Sequence, residues 1–290
     1  MTLACLVDTT RCIGCRSCQV ACKQWNDLPG EAAKFSPVGY QNPPNFSAHT
    51  RTFVSYHERE VGGRVSWHFV KRQCMHCSDM PCANNCAPKA FRLTRCGTVV
   101  TEPAKCIGCV ACIDDCPFDV PRVEVWEVET PHLRKCDFCF QRRRAEVDGA
   151  DLNGAPLAGR SLWRYRRGFA MPACVKACPT GALRFGRRDL LLKEARRRMA
   201  AEPGKYVRHI YGEKELGGLG WLYLASVPFE ELGFPTRFAP RETIEEMGAV
   251  DREHPAAASL LNGIGTLLAG ACWFFRRRGR IADTESRNRT

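Results

Sequence analysis

The chain has 290 residues, among them 43 Lys and Arg, 31 Asp and Glu, and 19 cysteines, and its formal net charge is +12. This length allows one large or two modest domains, and the charge taken alone would favour a nucleic-acid partner. The cysteines recur at two- and three-residue intervals, too close for most disulfide pairings, which argues against the disulfide framework of a short secreted chain.

The first quarter of the chain predicts a strand, a cysteine loop, a helix and a hairpin. An apolar strand over 3–8 leads into a motif with the order Cys12-x2-Cys15-x2-Cys18-x3-Cys22. A short helix is predicted over 19–25, and a connection rich in Pro, Gly and Asn covers 29–50. Strand-like runs at 52–58 and 65–70, separated by Gly62 and Gly63, predict a β-hairpin.

Three further cysteine motifs follow the hairpin. The second is Cys74-x2-Cys77-x4-Cys82-x3-Cys86, and the third is Cys106-x2-Cys109-x2-Cys112-x3-Cys116. The fourth is split into Cys136-x2-Cys139 and Cys174-x3-Cys178, and the turn-rich stretch between its halves reads as a surface insertion. A helix is predicted from about 189 to 203. The Gly-rich, aromatic block 205–234 predicts a capping strand layer or, alternatively, a partner contact.

Sixteen of the 19 cysteines lie in these four motifs. Three closely spaced thiolates fit three irons of a cubane, and the fourth cysteine of such a motif commonly ligates the other cluster of a two-cluster unit. The motifs therefore predict four [4Fe–4S] clusters. Paired C-x2-C units also make zinc sites, but a tight run of four cysteines, which occurs twice here, offers more sulfur per loop than a zinc ribbon uses.

The order of the motifs suggests a nested pairing. Motifs two and three would form an inner two-cluster unit, and motifs one and four would close an outer unit around it. Spacing alone does not establish this crossing, which remains a hypothesis. It gives four groups of metal ligands: group A is Cys12, Cys15, Cys18 and Cys178; group B is Cys22, Cys136, Cys139 and Cys174; group C is Cys74, Cys77, Cys82 and Cys116; group D is Cys86, Cys106, Cys109 and Cys112.

The clusters also change the meaning of the net charge. Four thiolates around a cubane carry about −2, so four clusters contribute about −8 and leave a holoprotein near roughly +4. Nucleic-acid binding then loses its main support. The basic runs 142–144, 164–167 and 196–198 are interpreted as solvated surface, with docking to an acidic partner as the alternative.

Several residues near the motifs have other interpretations. His76 is expected to be a solvent-facing or supporting group rather than a ligand, because its motif already holds four cysteines. Cys5, Cys96 and Cys272 are expected to be small buried apolar residues. The sequence offers neither a nucleophile–base constellation nor a phosphate-binding glycine loop, so no catalytic residues are assigned and the chain is not expected to be catalytic alone.

The C-terminal region predicts one transmembrane helix over 255–275. This stretch is uncharged and long enough to cross a bilayer, and its small residues Ser259, Gly263, Thr266 and Gly270 recur at helical spacing. A buried helix of a soluble domain is the alternative. Arginines follow at once in the basic tail 276–290, which indicates a cytoplasmic C-terminus and a cluster domain on the outer side of the membrane. The first residues show neither the charged n-region nor the apolar h-region of a signal peptide, so export of the folded chain with a signal-bearing partner is expected.

Residues outside the cysteines carry a family resemblance. Asp8–Cys15, Cys18–Asn26, Gln41–Pro44 and Ala173–Ala182 together resemble the iron–sulfur beta subunit of membrane-bound respiratory formate dehydrogenase. The resemblance covers most of 1–235. Cysteine spacing is shared with subunits of other molybdenum oxidoreductases and some hydrogenases, and the stretches around Trp25 and Gln41–Pro44 point to formate.

The resemblance implies an electron relay within a three-part enzyme. A catalytic alpha subunit with a molybdenum or tungsten pterin would oxidise formate, and a cytochrome b gamma subunit in the membrane would pass the electrons to quinone. The family's ligand pairing agrees with groups A to D. The matching subunit of a periplasmic hydrogenase or of another molybdopterin oxidoreductase is the alternative. The C-terminal span belongs to this resemblance as well. Together with the arginines that follow it, the span predicts a single-pass protein of the inner membrane with its cluster domain in the periplasm.

The predicted fold class is α+β, with two nested ferredoxin-like two-cluster units, long irregular loops and one C-terminal transmembrane helix. The outer unit would comprise 1–66 and 128–188, the latter with an insertion at 141–172 that is longer than in related chains. The inner unit would be 67–127, and 189–250 would be a helix and a capping or partner-contact region.

Overall fold

A computed structural model describes residues 2–33, 35, 40–124, 132–140 and 171–238, which belong to one compact unit. Nine strands and five α-helices lie in these ranges. In chain order they are β1 (Leu3–Asp8), α1 (Ser17–Trp25), β2 (Thr52–Val61), β3 (Arg64–Gln73), α2 (Pro81–Asn84), β4 (Phe91–Leu93), β5 (Val99–Thr101), α3 (Ala111–Asp114), β6 (Arg122–Glu124), β7 (His132–Arg134), α4 (Ala173–Lys176), β8 (Leu183–Arg187), α5 (Arg188–Ala201) and β9 (Trp221–Leu224). The predicted first strand, first helix, hairpin and helix after the fourth motif are all confirmed.

The largest sheet has three strands and joins distant parts of the chain. Its order is β8-β1-β9, with β1 antiparallel to β8 and parallel to β9. In the register, Cys5 lies opposite Phe185 on one side and Trp221 on the other. All residues of β1 and β9 are buried. The block 205–234 therefore supplies a strand of the central sheet, which is a deeper role than the capping layer predicted from sequence.

Side chains alternate along a strand, so the two faces of this sheet pack against two different cores. Ala4 and Leu6 of β1 face a small apolar core that contains Leu191 and Ala195 of α5 and no cysteine. Cys5 on the opposite face belongs to the larger core, which contains most of the aromatic side chains of 205–238 and several motif cysteines. The sheet thus separates an ordinary helix–sheet core from the cysteine-rich side of the molecule.

The long hairpin β2–β3 stands against the cysteine-rich side. Gly62 and Gly63 both have positive φ, as the tight turn between twisted antiparallel strands requires. The base of the hairpin is buried, with Val54 and Val70 in the larger core, whereas the residues next to the turn are exposed. The remaining two-stranded ladders, β4–β5 and β6–β7, are only three residues long per strand.

A buried ion pair holds α5 to the end of β1. Arg198 Nη1 lies 2.8 Å from Asp8 Oδ2, and the two side chains are 8% and 0% exposed. The hydroxyl groups of Thr10 and Tyr206 also donate to the Asp8 carboxylate, at 2.6 and 3.0 Å. The prediction of solvated surface is therefore wrong for Arg198, although it holds for its exposed neighbours Arg196 and Arg197.

We expect Arg198→Met to destabilise the protein by about 3–5 kcal/mol, because it leaves the buried Asp8 carboxylate without its cation. The measurement is the midpoint of thermal unfolding of the iron-loaded chain under anaerobic conditions, where this loss corresponds to a fall of at least about 6 °C. Arg197→Met is the control, since among the described residues that exposed arginine pairs with Glu194 alone, and we expect a change within about 1 kcal/mol. Equal midpoints for the two variants would contradict the structural role of the pair.

Several sequence predictions lie outside the described residues. These are the surface insertion apart from its last two residues, Cys272, the transmembrane helix over 255–275, the basic tail 276–290, and the basic runs 142–144 and 164–167. Within the part of the chain that the structure describes, no helix is long and apolar enough to cross a membrane.

Candidate iron–sulfur centres

The four thiols of group B surround one cavity. Its wall includes Cys22 at the end of α1, Cys136 and Cys139 after β7, and Cys174 on α4. The space between the protein atoms is about 340 Å³, part of which is open to solvent. Three separate segments of the chain therefore meet here, and they bring motif one together with both halves of motif four.

The thiols of group C surround a second cavity of about 370 Å³, also partly open. Cys74, Cys77 and Cys82 come from motif two, and Cys116 comes from the end of motif three. Pro117, directly after Cys116, lines the same wall. This is the crossing between adjacent motifs that the nested hypothesis requires.

The members of groups A and D are brought together as well. Burial raises the pKa of Cys12, and the neighbouring thiols Cys178 and Cys15 add to that rise. Burial also raises the pKa of Cys112 to about 12, with contributions from the thiols Cys109, Cys106 and Cys86. Cys178 therefore lies with motif one, and Cys86 lies with motif three.

Helix packing follows the same pairing. Helix α1 of motif one packs against α4 of motif four, and α2 of motif two packs against α3 of motif three. Helices α2, α3 and α4 have only four residues each, too few to be stable alone. The pairs are consistent with an inner and an outer two-cluster unit.

All four motifs form the same turn before their second cysteine. The residue at that point has positive φ in each case: 67° at Gly14, 52° at His76, 72° at Gly108 and 60° at Phe138. Glycine adopts this conformation freely, whereas histidine and phenylalanine adopt it under strain. The sequence shows the repeat only where glycine is present, so the equivalent role of His76 and Phe138 was not foreseen.

His76 and Phe138 meet at the boundary between groups B and C. Their ring centroids are 4.6 Å apart, and Phe138 also stacks on Trp221 at 5.1 Å. His76 is buried, and its Nδ1 accepts a hydrogen bond from the backbone N–H of Val99 at 3.1 Å. His76 therefore supports the motif from the inside, and a solvent-facing position is wrong.

Gly220 makes room for this contact. A Cβ at this position would lie 2.9 Å from His76 Cβ and 3.1 Å from Phe138 Cε2. The Gly220 N–H donates to the carbonyl of Met75 at 2.9 Å, and its own carbonyl accepts from the Cys5 N–H at 2.8 Å. The chain before β9 is thus tied to β1 and to motif two by backbone hydrogen bonds.

We expect Gly220→Val to destabilise the iron-loaded chain by about 1–3 kcal/mol or more, because it forces His76 and Phe138 apart. Thermal unfolding under anaerobic conditions measures the effect. Gly30→Val is the matched control, since a Cβ at Gly30 would meet no atom within 4 Å. An unfolding midpoint for Gly220→Val equal to that of the control would refute the tight packing at this boundary.

The thiols have the chemistry that iron–sulfur clusters require. Burial raises the pKa of Cys18 and Cys139 to about 12 and that of Cys22 and Cys116 to about 11. Ligand cysteines bind metal as thiolates, so cluster binding would release protons from these sites. Within the described ranges no three His, Cys, Asp or Glu side chains converge on one point as ligands of a single ion; the thiols of groups B and C line cavity walls instead.

Two buried lysines that sequence analysis did not identify lie at these cavities. Lys71 of β3 lines the group B cavity, and Lys135 lines the group C cavity. The ammonium of Lys135 donates to the carbonyls of Val99 and Cys136. In the sequence both lysines look like ordinary surface residues, because nothing local predicts their burial.

The other cysteines behave as expected where the structure describes them. Cys5 and Cys96 are buried and belong to none of the four groups. The Cys96 thiol lies 3.2 Å from the hydroxyl of Thr94. Both therefore serve the packing of the fold.

Two sequence profiles match the chain, and each is described as a 4Fe-4S dicluster domain. One covers residues 11–90 and the other residues 65–188. Together they span all four cysteine motifs. Ferredoxin-type domains that bind [4Fe–4S] clusters are therefore present in this chain.

Similar proteins of known sequence extend the match. A protein of Nitratidesulfovibrio vulgaris is 37% identical over 288 residues, which is 97% of this chain and 68% of that protein. The formate dehydrogenase-O iron-sulfur subunit of Escherichia coli K12 is 32% identical over 273 residues, covering 90% of this chain and 82% of the subunit. The hydrogenase-2 operon protein HybA of Escherichia coli O157:H7 is 30% identical over 266 residues, covering 81% and 73%.

Proposed function

Because the chain belongs to the family of ferredoxin-type iron–sulfur subunits that includes those of formate dehydrogenases, we propose that it relays electrons within a respiratory formate dehydrogenase through four [4Fe–4S] clusters. The observation that carries this proposal is a pair of cavities, each lined by a complete set of four cysteines. Group B lines one cavity and group C lines the other. Bound clusters would supply one-electron chemistry, and the chain would hold them, insulate them and set their spacing.

The sixteen cysteines of groups A to D are the proposed ligands, four to each cluster. Their assignment is supported by the cavity walls for groups B and C and by the mutual charge effects for groups A and D. It implies the nested architecture, with the outer unit built from 1–66 and 128–188 and the inner unit from 67–127.

Neighbouring groups lie in the order A, B, C, D. Cys18 of group A is close enough to Cys174 of group B for one thiolate to raise the pKa of the other thiol, beyond the larger effect of burial. Groups B and C meet through Phe138 and His76. Burial is the largest cause of the raised pKa of Cys82 in group C, and the charge of Cys112 in group D adds to that rise. This order supports a single path along which electrons pass one at a time.

The proposed partners are a catalytic molybdopterin alpha subunit and a membrane cytochrome b gamma subunit. The first is supported by the relative named as a formate dehydrogenase subunit. The second, like the bilayer contact, is supported by the uncharged stretch 255–275 in the sequence. The basic tail that follows favours a periplasmic cluster domain and a cytoplasmic C-terminus. Protease treatment of spheroplasts tests the orientation, and full protection of the cluster domain would contradict it.

The deciding experiment is anaerobic purification with native partners, followed by an assay of formate-dependent quinone reduction. We expect this chain, once separated from its partners under anaerobic conditions, to be brown, to contain about 16 irons and to bleach on reduction. A colourless chain that contains zinc would end the iron–sulfur proposal.

A second candidate is the equivalent subunit of a hydrogenase, favoured by the similarity to the hydrogenase-2 operon protein. Co-purification of a nickel–iron subunit, with hydrogen-dependent and formate-independent quinone reduction, would support that alternative. A partner that contains molybdenum or tungsten would support formate.

A further inference from the structure

Lys71 is a buried cation that lies between groups A and B. Only 2% of the residue is exposed, and its side chain forms part of the wall of the group B cavity. Its ammonium lies close enough to act electrostatically on thiols of both groups, namely Cys12 and Cys18 of group A and Cys22 and Cys136 of group B. One ammonium group therefore faces two predicted clusters.

The ammonium is held in place by neutral groups. Lys71 Nζ donates to Thr52 Oγ1 at 2.8 Å and to Gln73 Oε1 at 2.9 Å, and it lies 4.4 Å from the ring centroid of Trp221. Gln73 Nε2 donates to the hydroxyl of Tyr223, which in turn donates to the Lys71 carbonyl. These residues are buried, so the position of the charge is well defined.

No carboxylate among the described residues lies within ion-pair distance of Lys71. A buried ammonium without a counter-charge is strongly unfavourable, and neutral hydrogen bonds do not replace the lost hydration of a full charge. Asp137 lines the same cavity but forms no ion pair with Lys71. The largest favourable charges on the Lys71 ammonium are those of the thiolates Cys174, Cys18 and Cys136 of groups A and B. Negative charge in the adjoining cavity would therefore stabilise the buried Lys71 ammonium.

A cluster with four thiolate ligands supplies that charge, and it supplies more after reduction. An oxidised [4Fe–4S]²⁺ core with four thiolates carries a net charge of −2. Uptake of one electron from a neighbouring one-electron donor changes this charge to −3, and the donor loses that electron; no proton needs to move. A fixed cation nearby stabilises the −3 state more than the −2 state.

We propose that Lys71 is a fixed counter-charge that raises the reduction potentials of the clusters of groups A and B. The inference deepens the proposed function, since it rests on the presence of clusters in those two groups. Lys135 offers an internal comparison: it is also buried, it lines the group C cavity, and its charge acts on Cys82 of that group. Lys135 should therefore affect group C.

Potentiometric titration of the full chain with its native partners, monitored by electron paramagnetic resonance, tests the inference. Single-cysteine variants of each group assign the signals. We expect Lys71→Gln to lower the midpoint potentials of the group A and B clusters and to leave that of group D unchanged, whereas Lys71→Arg stays close to wild type. Lys193→Gln, at an exposed position on α5, is the control and should shift nothing. Lys135→Gln should lower the group C potential.

The outcomes separate this inference from the proposed function. Unchanged potentials in Lys71→Gln at full iron content, or an equal shift of all four clusters, would overturn the role of Lys71 and leave the relay intact. Loss of iron from Lys71→Gln but not from Lys71→Arg would support the need for charge at this position; loss from both would assign Lys71 to packing and overturn the inference. A wild-type chain without [4Fe–4S] clusters would refute the proposed function and the inference together.

Discussion

Replacing Cys12 and Cys178 together is expected to alter one cluster, whereas replacing Cys22 and Cys178 together is expected to alter two. The nested arrangement places the first two residues in group A and separates the second two between groups B and A. Cys174 and Cys178 stand only four positions apart, yet the structure brings Cys174 to the group B cavity and Cys178 to motif one. Of four clusters, three should remain unaltered in Cys12→Ala/Cys178→Ala and two in Cys22→Ala/Cys178→Ala.

Mössbauer spectroscopy of iron-57-labelled protein counts the unaltered clusters, including cases in which a three-iron form replaces the original one. Motif-local pairing, in which Cys12 and Cys22 ligate one cluster and Cys178 ligates another, predicts two altered clusters in both variants. Two altered clusters in Cys12→Ala/Cys178→Ala would therefore refute the nested arrangement. Cys96→Ala is the control, because this buried cysteine belongs to no group, and all four clusters should persist. In each variant that loses a cluster, electron transfer from the donor to quinone should fall to background, since the path has no parallel branch.

Sequence analysis could predict the elements next to the motifs because their signals are local. The apolar run of β1, the Gly62–Gly63 turn and the periodic helix α5 each lie within a short window. The parallel pairing of β1 with β9 could not be predicted in this way, because more than 200 residues separate the partners. Its strands are short and buried, so they carry no alternating pattern that would fix their place in a sheet.

The candidate site shows the same division. The cysteine spacing predicts which thiols belong to a motif, and the ferredoxin geometry suggests how motifs pair. The buried cation near the thiols could not be predicted from the sequence, because Lys71 and Arg72 together resemble a solvated strand edge. Its burial depends on negative charge contributed by distant parts of the chain. The left-handed backbone conformation of His76 and Phe138 was not predicted either, because the sequence indicates this conformation only where the residue is glycine.

Removal of iron is expected to unfold the cysteine-rich side of the protein while the β8-β1-β9 sheet and α5 retain partial protection. Helices α2, α3 and α4 have four residues each and two of the ladders have three residues per strand, so their stability must come from attachment to the clusters. The small core between α5 and the sheet contains no cysteine. It can therefore persist, at least transiently, when the ligands are free.

Hydrogen exchange followed by mass spectrometry measures this effect on the full chain before and after anaerobic chelation of iron. Peptides that cover 9–26, 74–90, 103–120 and 172–182 should lose their protection, and those of β1 and α5 should exchange more slowly than the loops in the same sample. Reconstitution with iron and sulfide should restore the pattern, whereas zinc should not. Unchanged protection of the motif loops after chelation would contradict the view that the clusters replace part of the core. Such protection would mean that apolar packing alone holds the cysteine loops in place, which the short helices and ladders around them make physically unfavourable.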